Sequence, residues 1–494
     1  MKKRLMKSVL LVGGLLASLV SCGGTGPSGG GNSGKITIKF WHTFGDIPEK
    51  ALEDKAATFK ALVKENEGVD VEVDLSYQGG YNDMVNKVQL GIATSDSPSI
   101  AVAYPDHVAD YLNFEGGKYC VDMYQFANDA TLGFGKDKYL GDTEGIGDFV
   151  KAFIDEGSHF AKQGLYVMPY MKSSEAMLYN LDLATIGYRI WKGDNTITPE
   201  KVEEGISKLT WDELMDLGQC CATNKDKINN VLEYPISYDS DGNLFITKMY
   251  QNKIPFAEIG SDGKGKILFE SGDASTKAQA LVKDFYNKHK AGILTTKAIE
   301  GTYASNKFKA EQTIFCIGST GGVGYSFPNE GTFNFRVCKV PASNNNPVYV
   351  SQGPSLTMFN RPDLTKEENE KTLKYSWKFL KYITSTNVNM ELCVSGSQGY
   401  SPVRESCYVT EAYQEFQAGG TMYAETAKVV HNDIDGSYFY TPVFPGSAEL
   451  RKQCEGIIGT VLKDKDKYAT DKDVDEAIAD TFANAIRNAK LVIK

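Results

Sequence analysis

The chain has 494 residues and a net charge of −10, with 63 acidic and 53 basic side chains interspersed along it. No basic stripe interrupts that pattern, which argues against a nucleic-acid partner and fits the solvated surface of an exported protein. Five histidines without His-x-x-x-His spacing, and cysteines without a C-x-x-C pair, supply no signature of a zinc centre.

The chain opens with basic "MKKRLMKS", continues as apolar "VLLVGGLLASLV" and ends that run at "LVSCGG". A charged start, a short apolar stretch and small residues before a cut predict a secretory signal over residues 1–21. The stretch is too short to stay as a spanning helix. Leu19, Ser21 and Cys22 fall in the register of a bacterial lipobox, so Cys22 is expected to be acylated and to become the mature N-terminus. Residues 22–34, low-complexity after the cysteine, read as a flexible tether. The folded part then begins near Lys35, outside the cytoplasm, held to a bacterial membrane at the cell surface or in the periplasm.

About 460 residues remain, more than one hydrophobic core usually organises, so two lobes are expected. "KITIKFW" alternates as a strand, and Leu52, Ala56, Phe59 and Val63 recur at helical spacing after Pro48. "VDVEVDLSY" is a second strand, "YNDMVNKVQLGIAT" a second helix and "SPSIAVAY" a third strand. This β-α-β-α-β order predicts an α/β lobe with a largely parallel sheet. Ligands of such sheets bind beyond the carboxyl ends of the strands, which sets Trp41 and His42, Tyr77 to Tyr81 and Tyr104 to His107 along one rim.

Further on, "GLYVMPYMKSSEAMLYN" reads as two strands around a Lys-Ser-Ser turn. Thr210 and Glu213 form a capping box before the helix "WDELMDLGQCCAT". "SYDSDGN" and "PASNNNP" read as turns, and "EQTIFCIGSTGG" and "NFRVCKVP" as strands. The tail is helical, with Leu373, Trp377, Leu380 and Ile383 on one stripe and Leu450, Cys454, Ile457 and Val461 on another. No later segment is apolar for long enough to span a bilayer. The eight cysteines after Cys22 are scattered and do not demand disulfides, and Cys316 and Cys454 read as small buried hydrophobes.

The loop Gly318 to Gly322, "GSTGG", invites three chemical readings. A nucleophile elbow needs G-x-S-x-G, but Gly318 directly precedes Ser319 and only His431 follows among histidines. A phosphate loop needs a lysine after its glycines, and none follows. Backbone donors and hydroxyls for a polyol or an anionic oxygen remain. A glycosidase needs only two suitably spaced carboxylates, so hydrolase chemistry stays as the alternative class.

Taken in order, "ITIKFWHTFGD", "YQGGYNDMVNKVQLGIATSDSPSIAVAY", "VMPYMKSSEAMLYN", "LTWDEL", "GSTGG", "SQGPSLTMF", "WKFLKYITS", "GYSPVRESCY" and "PGSAELR" resemble the extracellular solute-binding proteins (family 1) of ABC importers. The group resembled takes up sugars and glycerol phosphate. The resemblance implies an α/β, two-lobed periplasmic-binding-protein-like fold of type II, with hinge strands crossing near Leu178–Asn180, Gly353–Pro354 and Tyr400–Pro402. The implied lobes are 35–177 plus 353–402 and 178–352 plus 403–494.

The resemblance also implies a set of ligand-facing residues. These are Tyr81, Ser173 or Ser174, Ser319, the amide of Gly353, Tyr400 and Arg451, with Asp106 standing for the family's acid although Pro105 shifts it. The family's tryptophan near "SYDSDGNLF" is missing, so stacking falls to Tyr238, Phe245 or Trp41, with His42 beside it. The implied function is capture of a mono- or oligosaccharide and delivery to an ABC permease, by a monomer without cofactor, metal or catalysis. Glycerol 3-phosphate or a glycerophosphodiester is the alternative solute, and a surface glycoside hydrolase the alternative class.

Overall fold

The computed structural model describes residues 35–397, 399–433 and 437–493. The expected signal, Cys22 and the tether lie outside the described residues. Two five-stranded sheets organise what is described. In the first, Asp70–Tyr77, Lys35–His42 and Ile100–Ala103 run parallel, followed by Ser355–Met358 and Met168–Pro169, with Ser355–Met358 antiparallel to both its neighbours. Helices Asp46–Glu67 and Tyr81–Thr94 make the two crossovers between the parallel strands. They bury Leu52, Ala56, Phe59 and Val63, and Met84, Val88 and Ile92, the stripes that their spacing predicts. Each of these side chains larger than alanine contributes roughly 1.5–3 kcal/mol of apolar burial.

The second sheet has the order Phe335–Lys339, Glu175–Asn180, Phe315–Ser319, Ile236–Tyr238, Leu294–Thr296. Its last three strands are parallel, and Glu175–Asn180 is antiparallel to both neighbours. Each sheet has its own core. Phe40, Phe59, Trp377 and Leu380 centre the first; Trp211, Ile236, Phe245, Ile457 and Val461 centre the second. The molecule is therefore two α/β lobes.

Three extended segments link the lobes and bond to one another. Ser173 N donates to Gln352 O at 2.8 Å and Gln352 N returns to Ser173 O at 3.0 Å. Lys172 N donates to Ser401 O at 3.0 Å, and Met171 N to Pro354 O at 3.2 Å. The first crossing thus lies at 170–174, ahead of the expected Leu178–Asn180, because Glu175–Asn180 is already the second strand of the far sheet. Val403, Cys407, Tyr408 and Tyr413 pack into the first core, although the expected boundaries put them with the second.

A fourth link is absent from the sequence reading. Tyr438–Phe439 pairs in parallel with Tyr349–Val350, after which Val443 packs beside Phe160 of the first lobe and Phe444 enters the core of the second. The turn read in "SYDSDGN" is instead the end of strand Ile236–Tyr238 and the start of helix Asp241–Gln251, capped by the Ser240 side chain on Asn243 N. The eight described cysteines are all free, and Cys316 and Cys454 are buried. No helix among the described residues is long and apolar enough to cross a membrane.

Candidate functional site: the interlobe cleft

A cleft of about 1110 Å³ separates the lobes. The first lobe contributes Tyr81, Asn82, Asn86 and Gln89 from helix Tyr81–Thr94, and Tyr104, Asp106, His107 and Asp110 around helix Pro105–Asn113. Both helices begin just beyond the ends of parallel strands, so their first turns face the opening. The crossings contribute Ser351 and Gln352, and helix Ser447–Lys463 of the second lobe contributes Glu449, Arg451 and Glu455.

The Tyr81 and Tyr104 rings lie 4.4 Å apart between centroids, inclined at 35°. Burial pushes the Tyr104 phenol up, helped by the neighbouring Tyr400 phenol, and burial pushes Tyr81 up with help from Tyr104. Both stay protonated at neutral pH and offer O–H groups beside an apolar face. Pro105 supplies the first helical position, which aims Asp106 into the cleft; its Oδ1 accepts from His107 N at 3.0 Å. Asp110 Oδ1 accepts from Gly446 N of the opposite lobe at 2.9 Å, so the two walls are tied at one point. Burial chiefly pushes the Asp110 carboxyl up, with Asp106 and Glu449 adding to it.

Beneath this surface runs a chain of polar side chains. Arg451 Nη2 donates to Asn243 Oδ1. Asn243 Nδ2 donates to Glu175 Oε1 at 2.8 Å and to Gln352 Oε1 at 3.1 Å. Gln352 Nε2 donates to Ser319 Oγ at 2.9 Å and to Ser174 O at 2.9 Å. The Tyr238 hydroxyl donates to Glu175 Oε2 at 2.5 Å. Tyr238, Ser174, Ser319 and Arg451 are thereby brought into one network, through three residues that the sequence reading passed over. Glu175 had a legible signal, an acid heading the apolar strand "EAMLYN". Gln352 stands next to Gly353 in "SQGPS", and Asn243 lies in the segment read as a turn.

The other expected residues take different places. Trp41 packs on Gly91 and joins the cluster of Met84, Val88 and Ile92 between sheet and helix. His42 is fully buried; its Nδ1 accepts from Phe44 N at 3.3 Å, and burial lowers it to about 4. Ser173 belongs to the crossing. The Ser174 hydroxyl donates to Val350 O at 2.9 Å, and its backbone exchanges bonds with Thr320. Gly353 has φ +102°, and a Cβ there would lie 2.5 Å from Met171 O, so its freedom serves the hinge. Tyr400 packs over Gly321, where a Cβ would lie 2.5 Å from its ring. The loop glycine thus admits a tyrosine side chain, where the sequence reading offers its backbone to a polyol or an anionic oxygen. Among the described residues no group of three or more His, Cys, Asp or Glu side chains is arranged for a metal ion.

Residues 56–420 match the family described as bacterial extracellular solute-binding protein, and the chain belongs to that family. The fold agrees. The cyclic alpha-maltosyl-1,6-maltose binding protein of Arthrobacter globiformis superposes with a TM-score of 0.62 at 16% identity, over 91% of this chain and 100% of that one. The GacH receptor of Streptomyces glaucescens, also solved with acarbose, gives 0.64 at 16% identity over 92% and 98%. UgpB of Mycobacterium tuberculosis in complex with glycerophosphocholine gives 0.62 at 16% identity over 92% and 98%. No curated protein sequence matches this one.

Proposed function

We propose that this protein captures a carbohydrate in the interlobe cleft and delivers it to the permease of an ABC importer, without covalent chemistry. The observation that carries the reading is the lining of the cleft. The close, tilted Tyr81–Tyr104 pair offers an aromatic surface for a sugar ring, flanked by hydroxyls, amides and carboxylates that accept and donate as a polyol requires. Its volume of about 1110 Å³ exceeds the common range of roughly 300–1,000 Å³ for small-molecule sites, which favours an oligosaccharide over a single ring. Six carboxylates line it, Asp106, Asp110, Glu115, Glu156, Glu449 and Glu455, against Arg451 and Lys452. That balance opposes a free phosphate monoester. Tyr81, Asp106 and Arg451, which line the cleft, are the proposed contact residues, with Ser174, Tyr238 and Ser319 in the network behind Arg451. Acylated Cys22 would hold the monomer at the membrane near its permease.

Thermal melting with maltotriose, mannotriose, acarbose and glycerophosphocholine tests this. A specific solute at a hundredfold excess over Kd adds about 2.7 kcal/mol of stability; absence of any shift would refute the binding reading. The second solute class, a glycerophosphodiester, draws support from Arg451, which forms no ion pair among the described residues and is held by a neutral amide. Arg451→Ala should abolish glycerophosphocholine binding but only weaken that of a sugar. Release of reducing ends from maltotriose, lost on changing Asp106, would instead establish a hydrolase.

A further inference from the structure

Glu175 is the one charged residue of its strand, 3% exposed and followed by apolar Ala176, Met177 and Leu178. It does not line the cleft, yet both of its oxygens accept from groups that lead there. We propose that Glu175 is a positioning residue, holding Arg451 through Asn243, and Ser319 through Asn243 and Gln352, without touching the solute. This rests on the cleft being the solute site.

The argument is one of donor and acceptor order. An ionised carboxylate only accepts, so it draws the Nδ2 end of Asn243 toward it and turns Oδ1 to Arg451. Asn243 Nδ2 also fills Gln352 Oε1, which leaves Gln352 Nε2 to donate to Ser319 Oγ. Every amide in the chain therefore takes its orientation from Glu175. A protonated Glu175 carries a donor of its own. On Oε1 that proton competes with Asn243 and favours its turned-over amide, which removes the acceptor from Arg451; on Oε2 it is donated to the Tyr238 oxygen, reversing that bond, and the neutral carboxyl left behind is a weaker acceptor for Asn243.

The groups facing Glu175 are few. Tyr238 and Asp239 come from strand Ile236–Tyr238 and its end, Asn243 from helix Asp241–Gln251, Gln352 from the returning crossing and Arg451 from helix Ser447–Lys463. Burial pushes the Glu175 carboxyl up to about 7, against the hydrogen bonds of Tyr238 and Asn243 and the Arg451 charge, while Asp239 reinforces the rise. Tyr238 stays protonated, its phenol raised by burial and by Glu175 itself. Acidification through neutrality thus protonates Glu175 and loosens the hold on Arg451.

The test uses the whole ligand-free protein labelled with 15N-arginine. The Arg451 side-chain signal, assigned by its loss in Arg451→Lys, should titrate with a midpoint at about 7 and stay flat in Glu175→Gln. Tyr238→Phe, which removes one donor to the carboxylate, should move the midpoint upward. A flat wild-type signal, the same midpoint in Glu175→Gln, or an unmoved midpoint in Tyr238→Phe overturns the proposal. Maltotriose binding measured by calorimetry should weaken about tenfold from pH ~8 to pH ~6 in the wild type and lose that slope in Glu175→Gln. Equal slopes overturn the proposal. No maltotriose binding alongside the expected Arg451 titration supports the positioning role and overturns maltotriose as the solute instead.

Discussion

Residues at the crossings and in buried ion pairs carry the sharpest consequences of substitution. Gly353 sits at φ +102° against the backbone of Met171–Ser173. Gly353→Ala brings a strained conformation and a clash with backbone, so it should lower unfolding free energy by about 2 kcal/mol, read from the urea midpoint. Glu67 accepts from Lys378 Nζ at 2.6 Å, from the Tyr375 hydroxyl at 2.8 Å and from Tyr139. Burial works to raise its carboxyl, but those hydrogen bonds win and hold it down to about 2. A carboxylate depressed in the folded state stabilises above its unfolded value near 4.5 and loses that contribution as the pH falls toward 2. Solvent screening of this partly exposed carboxylate reduces the effect, so Glu67→Gln should cost about 1–2 kcal/mol at neutral pH, and the gap to wild type should close from pH ~4 to pH ~2. A gap constant with pH would contradict this. No residue near Glu67 in sequence announces the bond, because Tyr375 and Lys378 come from the helix Lys366–Ile383.

At the scale of elements, local chemistry was readable wherever donor and acceptor lie within one turn. Thr210 accepts from Glu213 N, and the Glu213 carboxylate accepts from Thr210 N at 2.9 Å, the capping box that "LTWDEL" predicts. Thr210→Ala should cost about 1 kcal/mol, measured by chemical denaturation, with Thr210→Ser close to wild type. The helical stripes and the three parallel strands were legible for the same reason, since periodicity is local. The first crossing was not. The segments 170–174 and 175–180 are adjacent stretches of chain, and only the partners across the sheet decide which stretch is hinge and which is strand. The start of helix Asp241–Gln251 reads as a turn because Asp, Ser, Gly and Asn serve both a turn and a helix start.

At the scale of the molecule, two separately cored lobes joined by bonded extended segments allow rotation without breaking either core. Addition of a bound solute should lower the radius of gyration in small-angle scattering, as the walls carrying Tyr81 and Arg451 approach. An unchanged radius at saturation would oppose closure. The Asp110–Gly446 bond already ties the walls at one edge, so Asp110→Ala, which removes the acceptor, should raise the resting radius while leaving both cores folded.

The sequence by itself determined the periodic helices and alternating strands, the α/β character and the need for two cores, because these follow from spacing and length. It also brought Tyr81, Asp106 and Arg451 forward, through motifs that resemble a family. Only the tertiary structure decided that Trp41 is core, that the loop glycine at 321 makes room for Tyr400, and that Glu175, Asn243 and Gln352 connect the cleft to the hinge. The reason is physical. Those roles depend on which strands and helices lie side by side, and hydrogen bonds between residues 68 and 109 positions apart leave no mark on local spacing.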